Sequence, residues 1–94
     1  MGINKLLLYR EVDFMKNIIK IEYCTAWGYL GRAVALARSI LSEHKNTIFE
    51  LKLIPSSGGV LEVSLNDELV FSKKELDRYP EKGEVEELIR NKLA

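Results

Sequence analysis

The sequence predicts an α+β fold, a two-layer sandwich of a four-stranded mixed sheet and two helices. Three observations predict this fold class. Between residues 17 and 54, a strand, an amphipathic helix and a second strand follow one another, as in a right-handed parallel βαβ unit. Two further strands are separated only by Asn66 and Asp67, and strands this close pair antiparallel. A second amphipathic helix follows them, so the predicted element order is β-α-β-β-β-α.

The first half of the predicted domain is the βαβ unit. Residues 17–23 are mostly β-branched and aromatic and predict the first strand. Residues 28–41 predict the first helix, because apolar residues recur there at helical spacing. Residues 47–54 alternate between polar and apolar positions and predict the second strand. The helix should bury a stripe of Leu30, Val34, Ala37 and Leu41, with Ala33, Leu36 and Ile40 beside it.

The second half contains the hairpin and the terminal helix. Residues 55–59 predict a tight turn, and residues 60–65 and 68–72 predict the third and fourth strands. Residues 73–82 are expected to form a loop. The helix over residues 83–93 begins with acidic residues and ends with basic ones, as the helix dipole favours. Its buried stripe should consist of Val85, Leu88, Ile89 and Leu93.

Length and composition predict one small domain with a modest core. Residues 17–94 form this domain, and we expect residues 1–16 to be an extension that is loose, adds an edge element or mediates oligomer formation. The formal net charge of zero predicts neither nucleic-acid nor membrane binding. No apolar run approaches the roughly 18 residues of a membrane span. A single cysteine excludes an intramolecular disulfide and favours a reducing cytoplasm.

Cys24 is the first candidate for chemistry, because it lies where the first strand passes into the first helix. The unpaired N–H groups and the positive dipole end of a helix N-terminus favour a thiolate over a thiol. We therefore expect a partly accessible, reactive sulfur, and the alternative is a buried and inert small residue. His44 is a lone histidine, so no zinc site is predicted. No dinucleotide-binding glycine pattern is present, so no bound nicotinamide or flavin is predicted.

Four blocks of sequence, at residues 21–24, 53–63, 69–75 and 78–81, resemble the selenoprotein W-like (Rdx) family in the same order. The resemblance runs from about Asn17 to the last residue. It implies a thioredoxin-like fold and a cytoplasmic thiol or selenol oxidoreductase or antioxidant. It also implies glutathione or a thioredoxin-type reductant as co-substrate, with no bound cofactor, and a small thiol or a protein thiol as partner.

The family motif is Cys-x-x-(Cys or selenocysteine), which implies that Cys24 and position 27 carry the catalysis. The bend at residues 55–59 should lie near Cys24, because the second and third strands flank the first, and the resemblance implies that its backbone meets a peptide or thiol substrate there. The substrate-binding residues so implied are Thr25, Ala26, Ser56, Ser57, Gly58 and Gly59. Other side chains that could surround the site are Tyr23, Tyr29, Tyr79, Lys73, Lys74 and Arg78.

Trp27 departs from this motif, and three interpretations of it are open. The first is that Trp27 is a natural replacement that ended the redox activity. The second is that it is an aromatic residue used for packing or for docking a partner. The third is that it is a tryptophan read from UGA, the selenocysteine codon, which differs from the tryptophan codon UGG by one base. With Trp27, only single-thiol chemistry remains at Cys24, namely a sulfenic acid or a mixed disulfide, so we expect normal turnover to be lacking. The competing hypotheses are a redox-inactive binding module with a docking patch of Trp27 and Tyr29, and a structural protein that shares only the fold.

Overall fold

A computed structural model describes residues 17–93. The expectations for residues 1–16 lie outside the described residues. The elements in chain order are β1 (Asn17–Cys24), α1 (Tyr29–Glu43), β2 (Ile48–Ser56), β3 (Leu61–Leu65), β4 (Glu68–Ser72), α2 (Lys73–Leu76) and α3 (Glu84–Leu93). The predicted order is confirmed, with the short helix α2 as an addition.

The predicted loop after β4 begins with α2 because Ser72 caps it. The Ser72 hydroxyl accepts a hydrogen bond from the Glu75 N–H at 3.0 Å and donates one to a Glu62 carboxylate oxygen at 2.5 Å. Serine followed by glutamate three residues later is the sequence pattern of a helix start. The pattern was therefore present at Ser72 and Glu75, and the prediction of a loop was wrong there.

The sheet is mixed and has the strand order β2-β1-β3-β4 among the described residues. β1 pairs in parallel with β2 and antiparallel with β3, and β3 pairs antiparallel with β4. Asn66 and Asp67 form the predicted two-residue turn, with φ values of 53° and 68°, which suit a hairpin. Consequently β1 is a central strand, and its last residue, Cys24, is bordered by both β2 and the approach to β3.

The core lies between the sheet and the two longer helices. Ile19 and Ile21 of β1 pair with Leu65 and Val63 of β3, and all four are buried. Burying an aliphatic side chain of this size contributes about 1.5–3 kcal/mol. The helices contribute their own buried residues to the same cluster, which are Tyr29, Ala33, Leu36, Ala37 and Ile40 from α1 with Val85 and Ile89 from α3.

The predicted stripe of α1 is wrong at three positions. Leu30, Val34 and Leu41 have exposed fractions of 51%, 47% and 42%. The apolar arc of α1 is wider than the surface that the sheet covers, so one flank of the arc remains outside. Glu43, which pairs with Arg90 of α3, lies on the opposite side of α1 at helical spacing. We call Leu30, Val34 and Leu41 the outer flank of α1; it lies on the side of α1 away from the Glu43–Arg90 pair with α3.

No helix among the described residues is long and apolar enough to cross a membrane.

Candidate functional site

Cys24 is held by backbone hydrogen bonds on both sides. Its N–H donates to the Val60 carbonyl at 2.9 Å, and the next N–H, of Thr25, donates to the Ser56 carbonyl at 3.1 Å. In the parallel register with β2, Cys24 lies opposite Ser56. The bend at residues 55–59 therefore lies beside the cysteine, as expected from the strand order.

The Cys24 side chain is buried, with an exposed fraction of 4%. This corrects the expectation of a partly accessible sulfur. The expectation treated Cys24 as a loop residue at the start of the helix, whereas it is the last residue of the central strand. Four residues separate it from the first residue of α1, and the core cluster packs around it.

Position 27, in contrast to Cys24, is exposed to solvent. Trp27 is 87% exposed and has a φ of 54°, in the left-handed region that a bulky side chain seldom adopts. Gly28 follows with a φ of 78°, and the Tyr29 N–H donates to the Ala26 carbonyl at 3.3 Å. Two successive positive φ values are the pattern of a type I′ turn. This turn presents residue 27 to solvent.

Tyr29 and Tyr79 form an aromatic pair, and Tyr29 belongs to the same core cluster as Cys24. Their ring centroids are 5.3 Å apart, and Tyr29 is 5% exposed. A hydrogen bond with Tyr29 is the main cause that raises the pKa of Tyr79, and Cys24 adds a smaller effect in the same direction. Tyr29 therefore packs inside the molecule, which corrects the predicted Trp27–Tyr29 docking patch.

Two cations lie over this aromatic pair. The Arg32 guanidinium carbon is 3.9 Å from the centre of the Tyr79 ring, and the Lys73 ammonium is 5.3 Å from the same centre. Both distances are within the range of cation–π attraction. Arg32 was not singled out from the sequence, although its position one helical turn after Tyr29 was a usable signal.

The remaining side chains that were expected around the site lie elsewhere or have other partners. Tyr23 belongs to the buried core of β1. Arg78 forms a two-pronged ion pair with Glu84, with both distances at 2.8 Å. Lys74 lies in α2, where its backbone N–H donates to Glu62.

The bend does not offer all the backbone groups that were expected to meet a substrate. The Ser56 carbonyl in the bend already accepts a hydrogen bond from the Thr25 N–H, and the Val60 carbonyl just after the bend accepts one from the Cys24 N–H. Ser57 and Gly58 are exposed, as is Thr25, while Ala26, Ser56 and Gly59 are half-buried. Thr25, Ser57 and Gly58 are thus the predicted substrate-binding residues with the most solvent access.

The arrangement places two positions of very different exposure at the ends of one short segment. Within residues 17–93, no three His, Cys, Asp or Glu side chains come together as a metal site. A buried sulfur and an exposed position three residues later are instead separated by one tight turn. A nucleophile at the exposed position would meet substrates first, and the buried sulfur could react only with a group brought to it.

The sequence matches a known family and a curated relative. The sequence profile of the Rdx family matches residues 18–91. The mouse (Mus musculus) protein named migration and invasion enhancer 1 is 32% identical over 72 residues. The matched region covers 77% of this chain and 61% of the mouse protein, so the chain spans about three fifths of that relative's length.

Two solved structures share the fold. A selenoprotein W-related protein of Vibrio cholerae matches with a TM-score of 0.78 at 24% identity, over 84% of this chain and 99% of that protein. A protein of Bordetella parapertussis matches with a TM-score of 0.76 at 27% identity, over 82% of this chain and 98% of that protein. The profile match over most of the chain and the shared thioredoxin-like architecture lead to one conclusion: the chain belongs to the Rdx family of selenoprotein W-like proteins.

Proposed function

We propose that this fold serves thiol or selenol redox chemistry, with position 27 as the attacking position and Cys24 as the resolving thiol. The observation that carries the proposal is the contrast in exposure between Trp27, at 87%, and Cys24, at 4%, across a single turn. An attacking group needs access to a disulfide or peroxide, whereas a resolving group needs only to reach the attacking group. A reducing cytoplasm is the compartment that suits this chemistry.

The proposed reaction in a competent form of the protein has two steps. A thiolate or selenolate at position 27 attacks one sulfur of oxidised glutathione, which forms a mixed disulfide and releases one glutathione thiolate. The Cys24 thiolate then attacks the atom at position 27, which closes the bond between 24 and 27 and releases the second glutathione. A thioredoxin-type reductant or reduced glutathione returns two electrons and restores the starting state.

Trp27 cannot perform the first step, because an indole is not a nucleophile of this kind. We therefore propose that the chain with Trp27 is arrested before the mixed disulfide forms. The codon at position 27 separates two origins of this state. UGA would mean that selenocysteine belongs at this position, and a genomic UGG would mean that tryptophan is native.

Arg32 and Lys73 suit an acidic thiol substrate. Both cations lie over the Tyr29–Tyr79 pair, close to the turn that presents position 27. Glutathione carries two carboxylates, and opposite charges attract most strongly where solvent is partly excluded. These two residues are therefore our candidates for holding the glutathione moiety.

The redox proposal is tested with Trp27→Cys and oxidised glutathione, followed by intact-protein mass spectrometry. We expect Trp27→Cys to lose two hydrogen atoms as the 24–27 disulfide forms, and dithiothreitol to reverse the change. The matched variant Cys24→Ser/Trp27→Cys should stop at the glutathione adduct. If Trp27→Cys keeps two free thiols under conditions in which a small thiol is oxidised, the proposal fails.

A second candidate function is a redox-inactive docking module that uses Trp27. The observation in its favour is a large aromatic side chain held almost fully in solvent at a positive φ, because exposed tryptophans frequently anchor interfaces. Trp27 is the only tryptophan in the chain, so its fluorescence reports on this position alone. Purified candidate partners that shift its emission to the blue would support the docking function, and a native UGG codon is required for it.

A further inference from the structure

A cleft opens between α1, the segment before α3 and the first turn of α3. Its volume is about 230 Å³, and its apolar part is formed by Leu36, Leu61 and Val85, all of which are buried. Pockets that enclose a whole drug-sized ligand usually measure about 300–1,000 Å³. This cleft is therefore of a size to receive one end of a small ligand.

The cleft lies at the end of the sheet that carries Cys24. Leu61 lies opposite Tyr23 in the pairing of β3 with β1, and Tyr23 directly precedes Cys24. The residue before Leu61 is Val60, whose carbonyl accepts the hydrogen bond from the Cys24 N–H at 2.9 Å. A ligand that enters the cleft is therefore held on the same side of the molecule as the candidate redox site.

Charged side chains of both signs line the cleft. Arg32 and Lys82 are the cations, and Glu81 and Glu86 are the anions. Glu81, Lys82 and Glu86 form no ion pair with another residue in the described part of the chain. An α-amino acid group carries an ammonium and a carboxylate on one carbon, so it can pair with a cation and an anion of the cleft at once.

We propose that this cleft binds the γ-glutamyl end of glutathione, with its carboxylate towards Arg32 and Lys82 and its ammonium towards Glu81 and Glu86. The inference rests on the proposed redox function, because it gives the glutathione that reacts at position 27 a second point of attachment. The glycyl carboxylate of the same molecule is then left for Lys73.

The charges of the cleft favour a zwitterion over simpler thiols. A thiol that carries only a carboxylate gains the attraction of Arg32 and Lys82 but meets repulsion from Glu81 and Glu86. A thiol that carries only an ammonium meets the reverse. Arg32 connects the cleft with the redox site, because its guanidinium carbon also lies 3.9 Å from the centre of the Tyr79 ring.

Binding to the cleft is tested with S-methylglutathione and the full wild-type chain, because this compound has no sulfur that can form a disulfide. We expect its titration to shift the NMR signals of the Leu61, Lys82 and Gly83 amides, with an affinity in the millimolar range. The analogue without the α-amino group, glutaryl-S-methylcysteinylglycine, should bind about two- to fivefold more weakly, because it lacks the ammonium that pairs with the acids.

The acids of the cleft are tested with a matched pair of double variants. Glu81→Gln/Glu86→Gln should bind S-methylglutathione more weakly and should no longer distinguish it from the analogue. Glu75→Gln/Glu87→Gln removes the same charge from α2 and α3, but neither residue lines the cleft. This control should keep the preference of the wild type, and its NMR spectrum also checks the fold.

The outcomes separate this proposal from the redox proposal. If Trp27→Cys forms its disulfide with oxidised glutathione but S-methylglutathione leaves the cleft amides unshifted, the cleft assignment is wrong and the redox function stands. If the cleft amides shift with the expected preference but Trp27→Cys keeps two free thiols, the cleft assignment stands and the redox function fails. Equal binding of the two compounds to the wild type, or a preference that survives in Glu81→Gln/Glu86→Gln, overturns the cleft assignment.

Discussion

At residue scale, the turn that presents position 27 depends on two left-handed backbone conformations in succession. Gly28 adopts its φ of 78° without a steric penalty. Trp27 has a Cβ, so its φ of 54° carries a steric penalty of about 1–2 kcal/mol. Such outliers persist where the surroundings hold them, and they concentrate at functional sites. The position that we propose as the attacking one thus coincides with a strained backbone and an exposed side chain in this chain.

Two glycines of this region provide a matched test. A Cβ built on either Gly28 or Gly31 meets nothing within 4 Å, so only the backbone differs between them. Gly28→Ala should lower the free energy of unfolding by about 1–2 kcal/mol, because alanine resists the positive φ. Gly31→Ala should raise it by about 0.5–1 kcal/mol, because Gly31 lies within α1. Urea unfolding measures both, and changes of the same sign would contradict the assigned turn.

At element scale, α1 is anchored through small and aliphatic residues and leaves its outer flank uncovered. Ile40 is completely buried, while the neighbouring Leu41 is 42% exposed. Side chains of adjacent residues on a helix point in directions about 100° apart, so one residue can face the core while the next faces the surface. The periodicity of α1 predicted a helix correctly but did not indicate which part of its wide apolar arc the sheet would cover.

The pair Ile40 and Leu41 tests the rotation of α1 directly. Ile40→Ala should lower the free energy of unfolding by about 2–5 kcal/mol, because it leaves a cavity in the core. Leu41→Ala should change it by no more than about 0.5–1 kcal/mol. Denaturant unfolding at low protein concentration avoids any contribution from self-association. Equal losses in the two variants would mean that the helix is turned differently.

At the scale of the whole molecule, ion pairs of α3 with α1 and with the segment after α2 join parts of the chain that the sheet does not connect. Glu43 of α1 pairs with Arg90 of α3, and this contact lowers the pKa of Glu43. Arg78, after α2, pairs with Glu84 in the first turn of α3. The hydrogen bonds from Arg78 lower the pKa of Glu84 to about 2, with help from the Glu81 N–H. Both carboxylates therefore favour the folded state only while they are ionised.

Stability should consequently fall in acid. The folded-state pKa of Glu84 lies below its ordinary value of 4.5, so its contribution is complete above about pH 4.5 and disappears as the pH falls towards 2. Glu84→Gln should be less stable than the wild type at neutral pH and should lose less stability between these two pH values. Thermal unfolding across that range measures the difference. Parallel pH profiles for the two proteins would show that the ion pair has no such role.

Much of the fold was predictable because strand and helix periodicities are local properties of the sequence. The bounds of β4 were predicted without error, and those of the other strands within two residues. The state of Cys24 was not predictable in this way. Cys24 is held beside Val60 and Ser56 and within the core cluster by contacts between residues that are distant in sequence and meet only in the folded molecule. Position 27 was identified as a candidate catalytic position from the family motif, but the left-handed turn that contains it was not predicted from the sequence.

Because Cys24 is buried, the rate at which its thiol is labelled can report transient local opening of the native protein. A thiol-specific reagent added to the native protein reaches the sulfur only when the end of β1 transiently separates from its neighbours. When reclosing is faster than labelling, the rate reports the equilibrium population of that opened form. Because Cys24 is the only cysteine, each modified molecule records one opening of the central strand.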